Sequence, residues 1–154
     1  MAMFNMVPIG FVVGGRDEPV DDEWDSVRAR IELDVSVIEP AATRGLESFS
    51  HVEITFVFHR VDPASVCVGA RHPRGRADWP RVGILAQRAK DRPNRIGSTV
   101  CRIIDVGEGW IDVAGLDAID GSPVLDVKPY LSGFGPRGEI IEPKWATELM
   151  ARYW

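Results

Sequence analysis

Asp126 and Lys128 stand one residue apart in the segment Gly115-Leu116-Asp117-Ala118-Ile119-Asp120-Gly121-Ser122-Pro123-Val124-Leu125-Asp126-Val127-Lys128-Pro129-Tyr130. On an extended chain, side chains alternate between faces, so this carboxylate and this ammonium share one face. A carboxylate so placed can take a proton from a reacting nitrogen or oxygen, and the lysine can pair with it or with a substrate oxygen. The competing reading is a structural ion pair on a sheet wall. A second group is rich in arginine: Arg71-His72-Pro73-Arg74-Gly75-Arg76, a mobile-looking basic loop, then Gln87 to Ser98 with Arg88, Lys90, Arg92, Asn94 and Arg95. Guanidinium groups suit phosphate or carboxylate through paired planar donors. Asn94 offers both a donor and an acceptor, and Gly97 permits close backbone approach. Of the histidines His51, His59 and His72, His59 stands where an apolar strand gives way to a loop, open equally to local hydrogen bonding and to a ligand.

The net charge of −5 and the isoelectric point near 5.2 argue against indiscriminate coating of nucleic acid. Charge is uneven, however. Arg71 to Arg95 holds eight basic side chains against two acidic ones, while acid gathers between Asp17 and Asp25. A local basic face suits a defined anionic ligand or one strand of nucleic acid, unless it is only a solvated loop surface. Cys67 and Cys101 lie among apolar residues and are expected to be buried free thiols in a reducing cytoplasm. No Cys/His spacing suggests a metal site, so none is expected. Apolar runs such as Val52 to Phe58 are too short to cross a bilayer, and Met1 to Val13 lacks a signal-peptide pattern, so a cytoplasmic location without membrane contact is expected.

These side chains need a scaffold. At 154 residues, 45% hydrophobic and 27% charged, the chain reads as one domain over 1–154 with a core at about 7–135. Strands are predicted over Val7 to Val13, Arg28 to Val37, His51 to His59, Ser65 to Ala70, Val82 to Ala86, Ser98 to Val106 and Trp110 to Val113, with another at Val124 to Val127. In the third of these Val52, Ile54, Phe56 and Phe58 share one face. Gly107-Glu108-Gly109 is a hairpin signal and Asp120-Gly121 a turn. Pro129, which has no N–H, ends the pairing of its strand. Pro40 to Arg44 turns the chain, and Gly45 to Ser50 holds a short helical turn. Many short strands with Gly/Pro turns predict an all-β fold, a small barrel rather than an α/β domain. A C-terminal helix over Pro143 to Tyr153, with Trp145, Leu149 and Arg152 at helical spacing, is expected to pack across the barrel.

Four blocks carry a family resemblance: Arg44-Gly45-Leu46-Glu47-Ser48-Phe49-Ser50-His51, Phe56-Val57-Phe58-His59, Arg92-Pro93-Asn94-Arg95-Ile96-Gly97, and Asp117 to Tyr130. In this order the sequence resembles the TsaA-like (YaeB/TrmO-like) family of S-adenosylmethionine-dependent methyltransferases over roughly residues 7 to 135. The resemblance implies a small β-barrel that binds S-adenosyl-L-methionine, a homodimer with its donor pocket near the subunit interface, and methylation of N6 of threonylcarbamoyladenosine beside the tRNA anticodon. Carried over by position, it assigns donor binding to His59, Arg60, Arg88, Ser98, Gly115, Leu116 and Asp117. It assigns the acceptor side to Arg92, Asn94, Arg95 and Tyr130, with Asp126 and Lys128 as the catalytic pair. Transfer from a sulfonium needs alignment and proton removal rather than an enzyme nucleophile.

Three features depart from the family pattern. A Pro-Arg-Gln element after the first strand is missing, Ala89-Lys90-Asp91 replaces Ser-Pro-Phe or Ser-Thr-Phe, and Arg95 stands in place of proline. They keep open methyl transfer to a smaller metabolite, or a non-catalytic module that binds the methyl donor. The large apolar residues Trp145, Leu149, Met150, Tyr153 and Trp154 add to the case for a dimer.

Overall fold

Alternation of polar and apolar side chains builds the walls of a closed barrel in the computed structural model, which describes residues 1–154. Six antiparallel strands close it in the order β1 (Gly10–Val13), β2 (Arg28–Leu33), β7 (Trp110–Ala114), β6 (Ile96–Gly107), β3 (His51–Val57) and β8 (Pro123–Pro129), which returns to β1. Full closure leaves this sheet no exposed edge. A separate two-stranded ribbon pairs β4 (Ala70–Arg71) with β5 (Val82–Gly83), and α1 (Lys144–Met150) is the single α-helix. No helix is long and apolar enough to cross a membrane.

The interior is filled from alternate positions of each strand. Val12, Ile31, Val52, Ile54, Phe56, Ile111, Val113 and Val124 are each at most 1% exposed. β3 is paired on both sides: Thr55 lies opposite Ser98 of β6 and opposite Asp126 of β8. In the β3–β8 ladder, Phe56 next pairs with Val124, so Leu125 is an extra residue, a bulge that bends β8. Beyond it Val127 packs against the core, while Asp126 and Lys128 face outward together, as their spacing predicts.

Several boundaries differ from expectation. Backbone pairing over Val7 to Val13 starts at Ile9, after Pro8, which has no N–H, and the regular strand begins at Gly10. β2 stops at Leu33 rather than Val37. The Asp34 carboxylate accepts from the Ser36 backbone N–H at 2.9 Å and from its hydroxyl at 2.6 Å, which bends the chain away. The expected strand Ser65 to Ala70 is mostly loop. Pro63 opens a 3-10 turn over Pro63–Ser65, capped by Asp62, which accepts from the Ala64 N–H at 2.9 Å. The expected strand Val82 to Ala86 shrinks to β5 and then winds into a 3-10 turn, Ile84–Ala86. Pairing also continues one residue past Pro129, because the Tyr130 N–H donates to the His51 carbonyl at 3.0 Å. Cys101 is buried, but Cys67 is only half-buried; both are free thiols.

The C-terminal helix is shorter than predicted and does not cross the barrel. Pro143 is its N-cap, and the helix is anchored to the loop that carries Trp79. The Trp79 indole N–H donates to Glu148 at 2.8 Å, and the Trp79 and Trp145 rings lie 6.4 Å apart.

Gly97 sets the closest packing between β6 and β3. A Cβ there would come within 2.6 Å of the Phe56 ring and 2.8 Å of the Phe58 ring, which are themselves packed edge to face at 5.2 Å. Phe56 is 1% exposed and has no space to yield. Gly97→Ala should therefore cost about 1–3 kcal/mol of stability through overpacking, read as a lower urea midpoint at unchanged slope.

Candidate functional site

Where β3 ends and β6 begins, the barrel opens into a cavity of about 1170 Å³ that continues along the outer face of β6. Its walls come from segments far apart in sequence: Phe56 to Val61, Gln87 to Arg92, Ile96 to Val100, Asp117, the acidic loop near Asp21 and Trp24, and the C-terminal segment.

Local chemistry positions each polar side chain. Gly115 adopts a left-handed conformation with φ +80°, turning the chain as it leaves β7. Leu116, fully buried in the core, then pins the segment so that Asp117 reaches the cavity. The Asp117 carboxylate accepts a hydrogen bond from the Thr99 hydroxyl on one oxygen and from the Tyr153 hydroxyl on the other. The Arg88 guanidinium donates to the Ser98 carbonyl at 2.5 Å, and the Ser98 hydroxyl donates to Glu53 at 2.6 Å. Arg92 donates to the Gln87 carbonyl at 2.6 Å, while the buried Gln87 amide donates to the carbonyls of Arg71 and Val82 at 3.1 and 3.0 Å. Arg60 reaches across to the Asp17 carbonyl at 2.8 Å. Nδ1 of His59 is buried without a hydrogen-bond partner. Burial, and then the charge of Arg60, push the His59 pKa below its ordinary value, which favours the neutral ring.

Two further groups record the charge of Asp117. Burial and then the Asp117 charge push the Cys101 thiol up to about 12, so this cysteine is inert packing. Burial, followed by Asp117, raises the Tyr153 phenol above its ordinary range, leaving it a proton donor.

The basic stretch divides in two. Three arginines are neutralised: Arg71 pairs with Asp91, Arg74 with Asp22 at 2.8 Å, and Arg76 with Asp78, and the first two also touch the cavity at its outer side. The mobile-looking loop is thus held by ion pairs and by His72, whose Nδ1 lies 2.7 Å from the Trp79 carbonyl. The inner cations Arg88, Lys90 and Arg92 have no acidic partner and line the cavity.

Of the residues singled out from sequence, His59, Arg60, Arg88, Arg92, Ser98 and Asp117 line this one cavity. Gly115 and Leu116 lie behind its wall. Asn94 and Arg95 form a turn outside it, both in left-handed conformation with φ 63° and 53°, and Arg95 donates to the Val61 carbonyl at 2.9 Å. Asp126 and Lys128 are an ion pair on the outer face of β8, and Tyr130 follows them; none of the three lines the cavity. Glu53 lines it and was not foreseen, although alternation with Val52 and Ile54 already turns it outward on β3. Tyr153 also lines it, and no local sequence signal ties it to Asp117.

Residues 17–135 match the family model described as the tRNA-methyltransferase O N-terminal domain. The chain is 39% identical over 99 residues to a Homo sapiens protein named tRNA (adenine(37)-N6)-methyltransferase, covering 64% of this chain and 22% of that one. It is 34% identical over 114 residues to a Methanothermobacter thermautotrophicus protein named probable S-adenosyl-L-methionine-binding protein, covering 74% and 77%. The crystal structure of TrmO from Pseudomonas aeruginosa is similar with a TM-score of 0.72 at 29% identity, covering 91% of this chain and 61% of that chain. The chain thus spans about a fifth of the human relative and about three fifths of the solved chain.

The depressed His59 pKa has a defined sign. Its folded value lies below the unfolded value of about 6.5, so it contributes stability above that pH which is lost as pH falls through the folded value. An NMR titration of the His59 ring protons should give a midpoint below that of an unfolded histidine.

Proposed function

The chain belongs to the family of the tRNA-methyltransferase O N-terminal domain, and on that premise we propose that it is an S-adenosylmethionine-dependent methyltransferase acting on N6 of the modified adenosine, threonylcarbamoyladenosine, beside the tRNA anticodon. The observation that carries the reading is the convergence of His59, Arg60, Arg88, Arg92, Ser98 and Asp117, from three separated segments, on one cavity.

The polar inventory of the cavity fits such a donor. An anionic carboxylate end suits Arg88 and Arg92, which have no acidic partners. Hydroxyl or amino groups suit the Asp117 carboxylate. Phe58, Leu149 and Met150, which are not buried in the core, supply apolar surface for a purine. When bound, the donor supplies an electrophilic methyl group on a sulfonium. The protein's part is to align the acceptor nitrogen, exclude water and remove a proton.

Asp126 remains the proposed proton acceptor, with Lys128 beside it. Both lie on the outward stripe that carries Glu53, Thr55 and Ser98 across β3 to the cavity. A homodimer is part of the proposal and is supported by apolar side chains that stay exposed, among them Val100 and Ile104 on the outside of β6 and Leu85 beside the cavity. A cytoplasmic location follows from the tRNA reading.

A second reading has its own support. With Arg71, Arg74 and Arg76 tied to Asp91, Asp22 and Asp78, the outer loop offers little free charge to a phosphate backbone, which favours a smaller anionic acceptor.

Calorimetry in metal-free buffer should detect binding of S-adenosylmethionine or S-adenosylhomocysteine. Arg88→Ala should weaken it by roughly tenfold or more, and by more than Arg74→Ala, whose guanidinium is already tied to Asp22. Equal effects of the two changes would contradict the assignment of the donor carboxylate to the inner cations. Asp126→Asn should retain donor binding while slowing transfer to tRNA by about 10²–10⁴-fold under single-turnover conditions, the range of a positioned general base. Full turnover in that variant would return Asp126 and Lys128 to a structural ion pair. Methylation of a small acceptor but of no tRNA would establish the second reading.

A further inference from the structure

We propose that Tyr153 is a positioning residue for the methyl-donor site: with Thr99, it fixes the Asp117 carboxylate so that the remaining acceptor positions face the ligand. The proposal rests on reading the cavity as a methyl-donor site and adds a residue that lies outside the matched family segment, 17–135.

Asp117 is one of the carboxylates of the cavity wall, and no lysine, arginine or histidine forms an ion pair with it. Its two oxygens each accept one hydroxyl, from Thr99 and from Tyr153. A carboxylate has about four acceptor positions, so roughly two remain for hydrogen-bond donors of a ligand, such as ribose hydroxyls, an adenine amino group or an ammonium. Neutral hydroxyl donors hold the group in place without cancelling its charge, as an arginine would. Thr99 is 7% exposed and fixed within β6, so one oxygen is set by the barrel itself. The other depends on a residue 36 positions further along the chain.

That distant residue is held by backbone contacts to the acidic loop. The backbone N–H groups of Glu23 and Trp24 donate to the carbonyls of Arg152 and Tyr153, both at 2.9 Å. Arg152 pairs with Glu23 at 2.9 Å, and α1 is tied by Trp79 to Glu148 at 2.8 Å. These bonds return the C-terminal segment across the acidic loop and deliver the phenol to Asp117. Its raised pKa keeps that phenol a donor throughout the neutral range.

The test is a double-mutant cycle on the full chain, with S-adenosylhomocysteine as the probe in calorimetry. Tyr153→Phe keeps the ring and should raise Kd about tenfold, with Thr99→Val acting in the same direction. In an Asp117→Asn background, Tyr153→Phe should have little further effect, because the group it positions is gone. A purely structural tyrosine would lower affinity equally in both backgrounds, and that result overturns the proposal, as does an unchanged Kd for Tyr153→Phe. Independently of variant folding, the 3-fluorotyrosine signal that persists in Tyr130→Phe should shift when the probe saturates the site; an unmoved signal also counts against the proposal. If the wild-type chain binds neither S-adenosylhomocysteine nor S-adenosylmethionine, the methyl-donor reading itself fails and the proposal falls with it, an outcome distinct from a binding wild type with an indifferent Tyr153→Phe.

Discussion

β3 is hydrogen-bonded along both edges, to β6 and to β8, and its side chains alternate between a dry interior and a polar outside. Val52, Ile54 and Phe56 fill the barrel, while Glu53 and Thr55 point away from it. Because the side-chain period is two, a one-residue slip would bury Glu53 and Thr55 and expose three core residues. That cost fixes the register of two ladders at once. Ser98 lies opposite Thr55 on one side and Asp126 on the other, and His59 emerges where pairing ends. The positions around the cavity are thus set by core burial, and functional side chains can be polar without loosening the scaffold that holds them.

Electrostatics divides the labour on the cavity's basic side. Acids on neighbouring loops occupy the outer arginines, and the resulting pairs tie the ribbon of β4 and β5 and the acidic loop to the body of the protein. Such half-exposed pairs are individually weak, so their role is to order loops more than to stabilise the fold. Arg88 and Arg92 donate to carbonyls instead. A carbonyl satisfies part of a guanidinium but does not cancel its charge, so Arg88 and Arg92 stay electropositive toward the cavity while being held in place. The Asp117 wall opposite has the complementary arrangement, an anion held by neutral hydroxyls.

The barrel was legible in the sequence because its signal is local. The alternation at Arg28 to Leu33 and His51 to Val57, the Gly107-Glu108-Gly109 turn and the Asp120-Gly121 turn each act over a few residues, and each is present in the fold. Ends were less legible. Asp34 and Pro63 stop or prevent strands through side-chain and ring chemistry that a run of apolar residues does not reveal. The cavity was read partly: the arginine segment, His59 and Asp117 were marked, and they converge. Glu53 was passed over because an acid in an apolar strand reads as an interruption. Asp126 and Lys128 share a face as expected, but the sequence holds no information on which side of the barrel wall the cavity opens. The Tyr153–Asp117 bond is non-local and leaves no periodic trace at all.

The return of the C-terminal segment also bears on the order of assembly. Barrel closure needs nothing beyond β8, whose last residue is Pro129, whereas the Glu23–Arg152 and Asp117–Tyr153 contacts join residues made later to parts made long before. A chain emerging from the ribosome can therefore complete its hydrophobic interior while the cavity still lacks one wall. Apolar collapse builds the barrel, and the wall is added afterwards by a few hydrogen bonds and one exposed ion pair. The wall is thus added after the barrel, and the cavity can lose its shape while the barrel is still intact.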